Sequence, residues 1–512
     1  MKKIKKILGV LLAAATVCNF AACGKKSGGD AVTLEWWYRG NGMQADTKLV
    51  EDTLNEKLKN YEGMDNVKIH LNCSPASDYQ TNVTLAMSGG KQIDILNTVN
   101  LNFDDMCNDG YLLDIDEYIN KNEKLKNTLP DWLWKLGGYN GKTYMVPNYQ
   151  MAALRTYVIF PKAYTDVFPQ FETMKKILKD KNSTVEETAK IFEDYLLAVR
   201  KAYPNEQKYL YPIGKDYNEQ VGFAPQSDKL TGTHRYYADE NKVANQYATP
   251  WAKESYKYSA QWYEKGYIHP DISTIDVNNF INQNMMNPTS FIYSLNHGMY
   301  DDARYAEEMK KTYGFDVEAV SVTDDFYQQY TWEAGGNCVT KMCKNPDKAM
   351  RFIELMTTEE GKDIYNLMVY GIEGKHYEKT GENTIRTFEY DGSQGGGSTS
   401  YAAMKWIIGN TFNAYINQGG SEEFNALALE INESDRLRKS PLIGLRPNTN
   451  DVRTKIEQIQ AIATEYKDTL SYGIMGSKWE NTYTEFEDKL KLAGDEDIIN
   501  CYTKQIEEFL KK

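Results

Sequence analysis

Histidine and cysteine are scarce in this chain of 512 residues, which holds five histidines and seven cysteines. No CxxC pair and no cluster of cysteine with histidine has the spacing of a zinc site. Five cysteines follow Cys23, and an odd number leaves at least one thiol free. For Cys338 and Cys343 we predict buried free thiols, with a disulfide between them as the alternative. The sequence argues against a zinc protein and against a disulfide scaffold.

Motifs for catalysis and for nucleotide binding are also missing. Gly141–Thr143 is the only GKT triplet, and Leu136 stands where a phosphate loop needs its first glycine. No GxSxG or HExxH motif and no order of serine, histidine and aspartate indicates a hydrolase. The nearest calcium-loop pattern, Asp105–Asp116, has Cys107 at a ligand position. We therefore predict no metal, no cofactor and no catalytic residue.

Excess positive charge and long apolar runs are lacking as well. Residues 1–22 hold four of the 59 basic residues and no acid, so their removal leaves 55 basic against 72 acidic residues, a net charge of −17. Such a chain repels nucleic acid and anionic lipid. Mean hydropathy is −0.62, and beyond the N-terminus no run approaches the roughly 20 apolar residues of a membrane helix. The length predicts a large soluble body of two or more domains.

The N-terminus has the layout of a secretory signal peptide. Met1–Lys6 is basic, and Ile7–Phe20 is an apolar run too short to span a bilayer. Two alanines then precede Cys23, which resembles the lipobox of bacterial lipoproteins with Phe20 in place of the usual leucine. We predict cleavage after residue 22, lipidation of Cys23 and a flexible tether over 23–31. A cleaved signal without lipid is the alternative.

Strand and helix patterns alternate along the mature chain. Val32–Tyr38, Asn66–Asn72 and Gln92–Val99 have strand patterns, with a helical pattern between the first two. Strands separated by helices predict βαβ units and a mainly parallel sheet. Helical patterns return over Thr184–Tyr203 and Pro250–Gly266, and they fill almost all of the C-terminal tail.

One histidine lies in the stretch VYGIEGKHYE, Val369–Glu378. Asn345 and the proline after it predict a helix start upstream, and Gly371 is placed to end the next helix in a left-handed conformation. The residues that follow predict a hairpin around Gly381. The stretch contains no GKS or GKT triplet, so we assign His376 a packing or hydrogen-bonding role rather than a catalytic one.

Six segments of the chain resemble a known family. They are DYQTNVTLAMSGGKQIDIL (78–96), YNGKTYMVPN (139–148), the helix ending in WYEKGYIHPD (243–271), NPDKAMRFIELM (345–356), YGIEGKHYE (370–378) and WIIGNTF (406–412). In this order they resemble the family 1 extracellular solute-binding lipoproteins of bacterial carbohydrate uptake transporters. The resemblance is closer to the LipO-type subgroup, which carries a C-terminal helical extension.

The resemblance implies a type II periplasmic-binding-protein-like α/β fold, in which two lobes joined by crossing strands close over a ligand. Crossings are expected near Met145–Tyr149, Thr289–Asn296 and Trp332–Thr340. The expected organisation is a signal peptide (1–22), a lipid-anchored tether (23–31), an N-terminal lobe (32–147 plus 290–338), a C-terminal lobe (148–289 plus 339–446) and a helical extension (447–512).

The resemblance also implies the ligand and the partner. We expect a monomer on the outer face of the cell membrane, in a Gram-positive bacterium, that passes an oligosaccharide to the permease subunits of an ABC transporter. Sugar capture needs flat apolar faces and polar groups for hydroxyls. Only one of two adjacent strand tryptophans can face the cleft. The predicted ligand-binding residues are Trp36, Trp37, Arg39, Tyr79, Asn148, Tyr149, Trp332, Glu333, Trp406 and Asn410.

Two other functions stay open at this point. A surface-anchored glycoside hydrolase needs two carboxylates about 5 to 10 Å apart, and 72 acidic residues leave room for such a pair. A structural or adhesive surface protein would bind no small ligand and show no lobe closure. The sugar is either neutral or uronate-bearing, and the negative net charge favours a neutral one.

Overall fold

The computed structural model of the protein describes residues 31–218, 223–276, 280, 283–323, 326–330, 335–389, 398 and 400–511. The predicted signal peptide and the lipidation residue Cys23 lie outside these residues, and so do Trp332 and Glu333 of the predicted cleft. Within the described ranges, no helix is both long enough and apolar enough to cross a bilayer.

Strands and helices alternate over most of the described chain. The strands are β1 (Val32–Gly40), β2 (Val67–Pro75), β3 (Ile95–Asn97), β4 (Gly138–Tyr139), β5 (Lys142–Thr143), β6 (Val146–Pro147), β7 (Arg155–Pro161), β8 (Gln207–Tyr209), β9 (Asp228–Lys229), β10 (His234–Tyr237), β11 (Lys242–Asn245), β12 (Thr289–Phe291), β13 (Ser294–Gly298), β14 (Val317–Ser321), β15 (Phe326–Gln328), β16 (Gly336–Val339), β17 (Tyr377–Lys379), β18 (Ile385–Thr387) and β19 (Leu437–Lys439). The α-helices are α1 (Thr47–Leu58), α2 (Tyr79–Ser88), α3 (Phe103–Asn108), α4 (Asp116–Lys121), α5 (Glu123–Thr128), α6 (Asp131–Trp134), α7 (Lys162–Thr165), α8 (Phe171–Lys179), α9 (Val185–Ala202), α10 (Ile213–Asn218), α11 (Pro250–Glu264), α12 (Asp302–Tyr313), α13 (Pro346–Thr357), α14 (Lys362–Tyr370), α15 (Glu422–Glu433), α16 (Arg453–Tyr472), α17 (Trp479–Ala493) and α18 (Asp495–Leu510).

A five-stranded sheet in the order β2-β1-β3-β16-β6 forms the core of the first lobe. Strand β1 is parallel to β2 and β3, whereas β16 is antiparallel to β3 and β6. Helix α1 buries Val50, Leu54 and Leu58, which recur at helical spacing. On α13, the Phe352 ring packs edge-on against Trp36 with the ring centroids 5.1 Å apart. The predicted βαβ units are confirmed for β1, β2 and β3.

A three-stranded antiparallel sheet, β13-β7-β14, forms the core of the second lobe. Phe160 of β7 packs edge-on against Phe171 of α8 and Tyr195 of α9. Helix α9 begins with a capping box, in which Thr184 and Glu187 bond each other's backbone N–H. The aromatic side chains bury a large apolar area and hold both helices against the sheet.

The strand pairing corrects the predicted lobe boundaries. Residues 290–338 were expected in the N-terminal lobe, but β13 and β14 pair with β7 of the second lobe. Residues 339–446 were expected in the C-terminal lobe, but α13 and α14 pack beside the first sheet and α1. The predicted crossing at Thr289–Asn296 is wrong, because β12 pairs with β8 and β13 with β7. The chain instead crosses between the two sheets after β6 and again between β14 and β16.

The C-terminal tail is helical, as expected, and its helices α16 to α18 pack on the second lobe. Helix α16 contacts α10 and α11, and α18 contacts β11. Lys215 pairs with Asp468 at 2.7 Å. Asp495, the first residue of α18, accepts a hydrogen bond from Asn245 Nδ2 at 2.8 Å. The helical extension is thus joined to the second lobe by packing and by polar contacts.

The stretch around Gly371 is a turn between α14 and a hairpin. Gly371 has a φ of 81°, and a Cβ at this position would lie 2.4 Å from His376 Nδ1. Strands β17 and β18 pair antiparallel on either side of Gly381, which confirms the predicted hairpin. Glycine is therefore required at 371 by its backbone conformation and by its close contact.

The cysteines of the described chain are free thiols. Cys338 of β16 is buried, and Cys343 is half-buried after that strand. Burial raises the pKa of the Cys343 thiol to about 12. Such thiols are protonated and weakly reactive at neutral pH.

Candidate functional site

The carboxyl ends of the parallel strands β1 and β3 meet at one edge of the first sheet, where open α/β sheets hold ligands. Arg39 lies near the end of β1, and its Nη1 donates to Asn100 Oδ1 at 3.4 Å. Asn100 follows β3 and has a φ of 65°. This edge therefore presents a guanidinium and a carboxamide beside the first crossing.

Asn148 is the residue of this edge with the strongest unmet hydrogen-bonding capacity. It is 6% exposed, and its backbone N–H donates to the Gly335 carbonyl at 3.0 Å. Neither its Oδ1 nor its Nδ2 has a hydrogen-bond partner among the described residues. Leaving a buried amide without partners costs about 1–3 kcal/mol, and such groups in native proteins call for an explanation. Asn148 is therefore a candidate for contact with a polar ligand.

Tyr149 ties the crossing to the segment that contains Asn410. The Tyr149 N–H donates to the Gly409 carbonyl at 3.1 Å, and the Tyr149 carbonyl accepts from Thr411 N–H at 2.7 Å. The Tyr149 ring packs edge-on against Phe412. Burial raises the pKa of Tyr149 to about 12. Its phenol is therefore neutral at physiological pH and lies next to Asn148 in the chain.

Two predicted ligand-binding residues, Tyr79 and Asn410, form side-chain hydrogen bonds within the fold. Tyr79 is buried, and its hydroxyl donates to the carbonyls of Trp37 and Asn97. Asn410 Nδ2 donates to the Thr357 carbonyl at 3.0 Å, and its Oδ1 accepts from Phe412 N–H at 3.0 Å. Both side chains are bonded within the fold, and their contact with ligand stays a prediction. They hold strands and turns at the edge of the sheet.

The two tryptophans of β1 do face opposite sides, but each side is covered by helices. Trp36 is 0% exposed, and its Nε1 donates to Asn337 Oδ1 at 3.2 Å. Trp37 is 6% exposed and packs with α2, with Lys91 Nζ 4.7 Å from its ring centroid. The predicted cleft-facing tryptophan is therefore corrected, because both rings belong to the core.

Trp406 lies at the same edge of the first sheet and is half-buried. The carbonyl of Ile407 accepts from Asn97 Nδ2 at 2.7 Å, and that of Ile408 accepts from Asn337 Nδ2 at 3.3 Å. These bonds fix the segment across the ends of β3 and β16. Trp406 thus lies at this edge, half-buried against the core of the first lobe.

Two functional candidates are absent from the sequence prediction. Lys405 is half-buried, and burial lowers its pKa. His297 of β13 is exposed, and desolvation by neighbouring atoms lowers its pKa. His297 pairs in register with Thr156, the second residue of β7, so it lies close to the crossing on the second lobe. In the sequence, only the scarcity of histidine could have drawn attention to His297.

Metal ligands do not gather at this edge. Over the residues that the structure describes, no group of three or more His, Cys, Asp or Glu side chains is arranged to hold a metal ion. The calcium-loop pattern at 105–116 begins inside α3. The edge offers amides, a guanidinium and an aromatic side chain, which are groups that bind polar ligands.

Residues 57–371 match the family model of the bacterial extracellular solute-binding proteins. The chain belongs to this family. The solute-binding protein also matches, over residues 441–511, a domain of unknown function that spans α16 to α18. The sequence-based family assignment and the function of solute binding for an ABC transporter are both confirmed.

Similar proteins cover nearly the whole chain. A carbohydrate ABC transporter substrate-binding protein of Streptococcus pneumoniae serotype 4 is 25% identical, over 97% of this chain and 96% of its own. The crystal structure of an N-glycan transport solute-binding protein (NgtS) from Streptococcus pneumoniae has a TM-score of 0.69 at 22% identity, covering 94% of this chain and 99% of that one. Its complex with Man5GlcNAc has a TM-score of 0.57 over the same shares. The likeness confirms the two-lobe α/β fold.

Proposed function

We propose that this protein captures an oligosaccharide between its two lobes and delivers it to an ABC importer. The observation that carries the proposal is the buried amide of Asn148 at the crossing between the two sheets, which has no hydrogen-bond partner among the residues that the structure describes. The names of the similar proteins support carbohydrate as the ligand class. A neutral oligosaccharide is preferred over a uronate-bearing one, because an anionic ligand would approach a chain whose net charge is −17 once residues 1–22 are removed.

The proposed contacts fall into three kinds. Asn148 and the Arg39–Asn100 pair bond sugar hydroxyls, since amides and guanidinium groups donate and accept at fixed positions. Trp406 supplies the flat face that covers a pyranose ring. Trp332 and Glu333, which precede β16, remain proposed ligand-binding residues outside the described ones.

A thermal-shift screen of neutral and uronate-bearing oligosaccharides tests the proposal, because a ligand bound only by the native state raises its stability by mass action. Man1GlcNAc and Man5GlcNAc are the first probes. We expect a raised melting temperature with neutral oligosaccharides. A rise with uronate-bearing sugars alone would contradict the preferred ligand class, and no rise with any sugar would contradict carbohydrate capture.

The proposed function is that of a carrier and not of a glycoside hydrolase. Sugar recovered after tight binding should therefore be unchanged when it is analysed by mass spectrometry. A time-dependent appearance of shorter products would instead support the hydrolase alternative. Purification to homogeneity excludes cleavage by a contaminant. A control with boiled protein measures any breakdown of the sugar that needs no folded protein.

Attachment to the membrane belongs to the same proposal. We infer that residues 1–22 are a signal peptide, that Cys23 is lipidated and that residues 23–31 tether a monomeric body to the outer face of the cell membrane. The permease subunits of the importer would then meet an already anchored carrier. Incorporation of labelled palmitate into the wild type, with none in Cys23→Ala and release of that variant into the medium, is the expected result. Labelling of Cys23→Ala would contradict it.

A further inference from the structure

Residues 440–448, between β19 and α16, form a loop whose two ends are fixed on the second-lobe side of the molecule. We call it the interlobe loop. At its start, Ser440 Oγ donates to Asp228 Oδ2 of β9 at 2.6 Å. At its end, the Asn448 N–H donates to Gln505 Oε1 at 2.7 Å, and Gln505 Nε2 donates to the Asn448 carbonyl at 2.9 Å. Gln505 belongs to α18 of the C-terminal extension, so the extension fixes one end of the loop.

Arg446 of the interlobe loop contacts the first lobe. Its Nε donates to the Gly138 carbonyl at 3.1 Å, and its Nη2 donates to the Leu136 carbonyl. Its Nη1 lies 3.1 Å from Asp104 Oδ1 in α3, and its guanidinium carbon lies 4.8 Å from the centre of the Phe103 ring. One side chain therefore joins the interlobe loop to two separate segments of the first lobe.

The contacts of Arg446 are partly shielded from water. The side chain of Arg446 is 27% exposed and that of Asp104 is 34% exposed. Burial raises the pKa of Asp104, and the charge of Arg446 opposes that rise. Hydrogen bonds from a charged donor are about twice as strong as neutral ones. Arg453 Nη2 also lies 3.6 Å from Asp105 Oδ1, but both side chains are exposed, and exposed ion pairs contribute little. Arg446 is thus the stronger of these two links.

Arg446 lies beside the chain crossings. Tyr330, which comes shortly before β16, lines the same cavity of 360 Å³ as Arg446. Gly137 stands between the two residues whose carbonyls Arg446 bonds, and its own carbonyl accepts from Tyr144 N–H at 2.9 Å. A Cβ at Gly137 would overlap the carbonyl of Met145, just before β6. The contact between the lobes is therefore close to both places where the chain passes from one sheet to the other.

The C-terminal extension is packed closely against the second lobe. A Cβ at Gly473, which ends α16, would overlap the backbone of Ser259 in α11. Tyr502, on the same helix as Gln505, donates from its hydroxyl to the Leu230 carbonyl at 3.3 Å. Close-packed contacts of this kind leave helices little freedom to shift. A continuous series of contacts thus runs from the second lobe through α18, Gln505 and the interlobe loop to the first lobe.

We propose that the C-terminal extension restrains the separation of the two lobes by holding Arg446 against the first lobe. A bond between two bodies opposes their separation, and this one adds to the restraint that the chain crossings impose. Gln505 is a positioning residue in this proposal, because it acts on the lobes only through the interlobe loop. The domain of unknown function at 441–511 thereby gains a conformational role that does not depend on which ligand the protein binds.

Small-angle scattering of the protein without sugar tests this role with Arg446→Ala, Gln505→Ala and the double variant. We expect the radius of gyration to rise in both single variants while the far-UV circular dichroism stays unchanged. Because Gln505 acts through Arg446, the double variant should match Arg446→Ala rather than show the sum of the two shifts. If Arg446→Ala does not fold, Gln505→Ala decides the question, because it removes only bonds to Asn448 and Cys501.

Two matched controls change comparable side chains away from the interlobe loop. Arg386→Ala removes an arginine that pairs with Glu378 inside the hairpin of β17 and β18. Glu508→Ala changes an exposed position of α18. Neither control should change the radius of gyration, and a rise in either one equal to that of Arg446→Ala would contradict the assignment to Arg446.

Hydrogen exchange gives a second readout. In Gln505→Ala, exchange over residues 136–145 of the first lobe should become faster, because the loop no longer holds Arg446 against them. Folded single variants with the radius and the exchange of the wild type would overturn the proposal. Additive shifts in the double variant would overturn the positioning role of Gln505. No sugar is present in these measurements, so none of these outcomes decides whether the protein captures sugar.

Discussion

His376 Nε2 lies 3.1 Å from Asp46 Oδ2, and its Nδ1 accepts a hydrogen bond from Ile372 N–H at 2.8 Å. Because Nδ1 is an acceptor, Nε2 carries the proton and donates to the carboxylate. The hydrogen bond from His376 is the largest cause that lowers the pKa of Asp46. The buried ring thus ties the loop after β1 to the turn after α14, which confirms the hydrogen-bonding role assigned to this histidine from the sequence.

Replacing this histidine should loosen that connection. We expect His376→Ala to lower the free energy of unfolding by about 1–3 kcal/mol, because the Ile372 N–H and the Asp46 carboxylate lose their common partner. Urea unfolding followed by circular dichroism measures it. Glu382→Ala in the exposed hairpin is the control. Equal stability of the two variants would show that the contact contributes nothing.

Glu360 predicts an acid-dependent stability. Hydrogen bonding from Arg351 is the first cause that lowers the pKa of Glu360 to about 2, and Lys124 adds to it. A carboxylate with a depressed pKa stabilises the fold above its ordinary pKa near 4.5 and loses this contribution as the pH falls toward 2. Glu360→Gln should be less stable than the wild type at pH 7, with the difference shrinking below about pH 4.5. Glu359→Gln, its exposed neighbour, is the control, and a difference that does not change with pH would contradict the assignment.

Local pattern was enough to predict the alternation from β1 to β3, the helix at Asn345 and the helical tail. Lobe membership was not predictable in this way, because β13 and β14 pair with β7 across more than 130 residues. A strand's sequence indicates its faces but not its partner. The same holds for the candidate site. Asn148 was predicted at the crossing from local sequence, whereas the position of His297 depends on the pairing of β13 with β7, which the sequence leaves open.

Trp36 and Trp37 show where the reasoning from strand alternation stopped. Alternation placed the rings on opposite faces, but helices cover both faces: α13, from a distant segment, packs on Trp36, and α2 packs on Trp37. We now expect Trp36→Phe and Trp37→Phe each to lower stability by about 1–3 kcal/mol and to leave sugar affinity within about twofold. Thermal melts and titration decide it. If one variant loses sugar affinity while its melting temperature is unchanged, that tryptophan ring contacts the sugar in the cleft.

The chain crosses twice between the sheets of the two lobes, and this arrangement predicts that the lobes close on the ligand. Small-angle scattering should give a smaller radius of gyration when an oligosaccharide that the protein binds is added at saturating concentration. A sugar that fails to bind in the thermal-shift screen serves as the control. An unchanged radius would mean that the lobes do not move, or that they are already closed without ligand.

Calorimetric titration of Asn148→Ala tests sugar capture at the crossing most directly. The buried amide has no partner among the described residues, so its removal should leave the melting temperature unchanged or slightly higher. Loss of its bonds to the sugar should cost about 1–3 kcal/mol, which is roughly a five- to 150-fold increase in Kd. Asn205→Ala, an exposed change in the second lobe, is the control and should bind as the wild type does. If Asn148→Ala binds the oligosaccharide as tightly as the wild type, the sugar does not lie at the crossing.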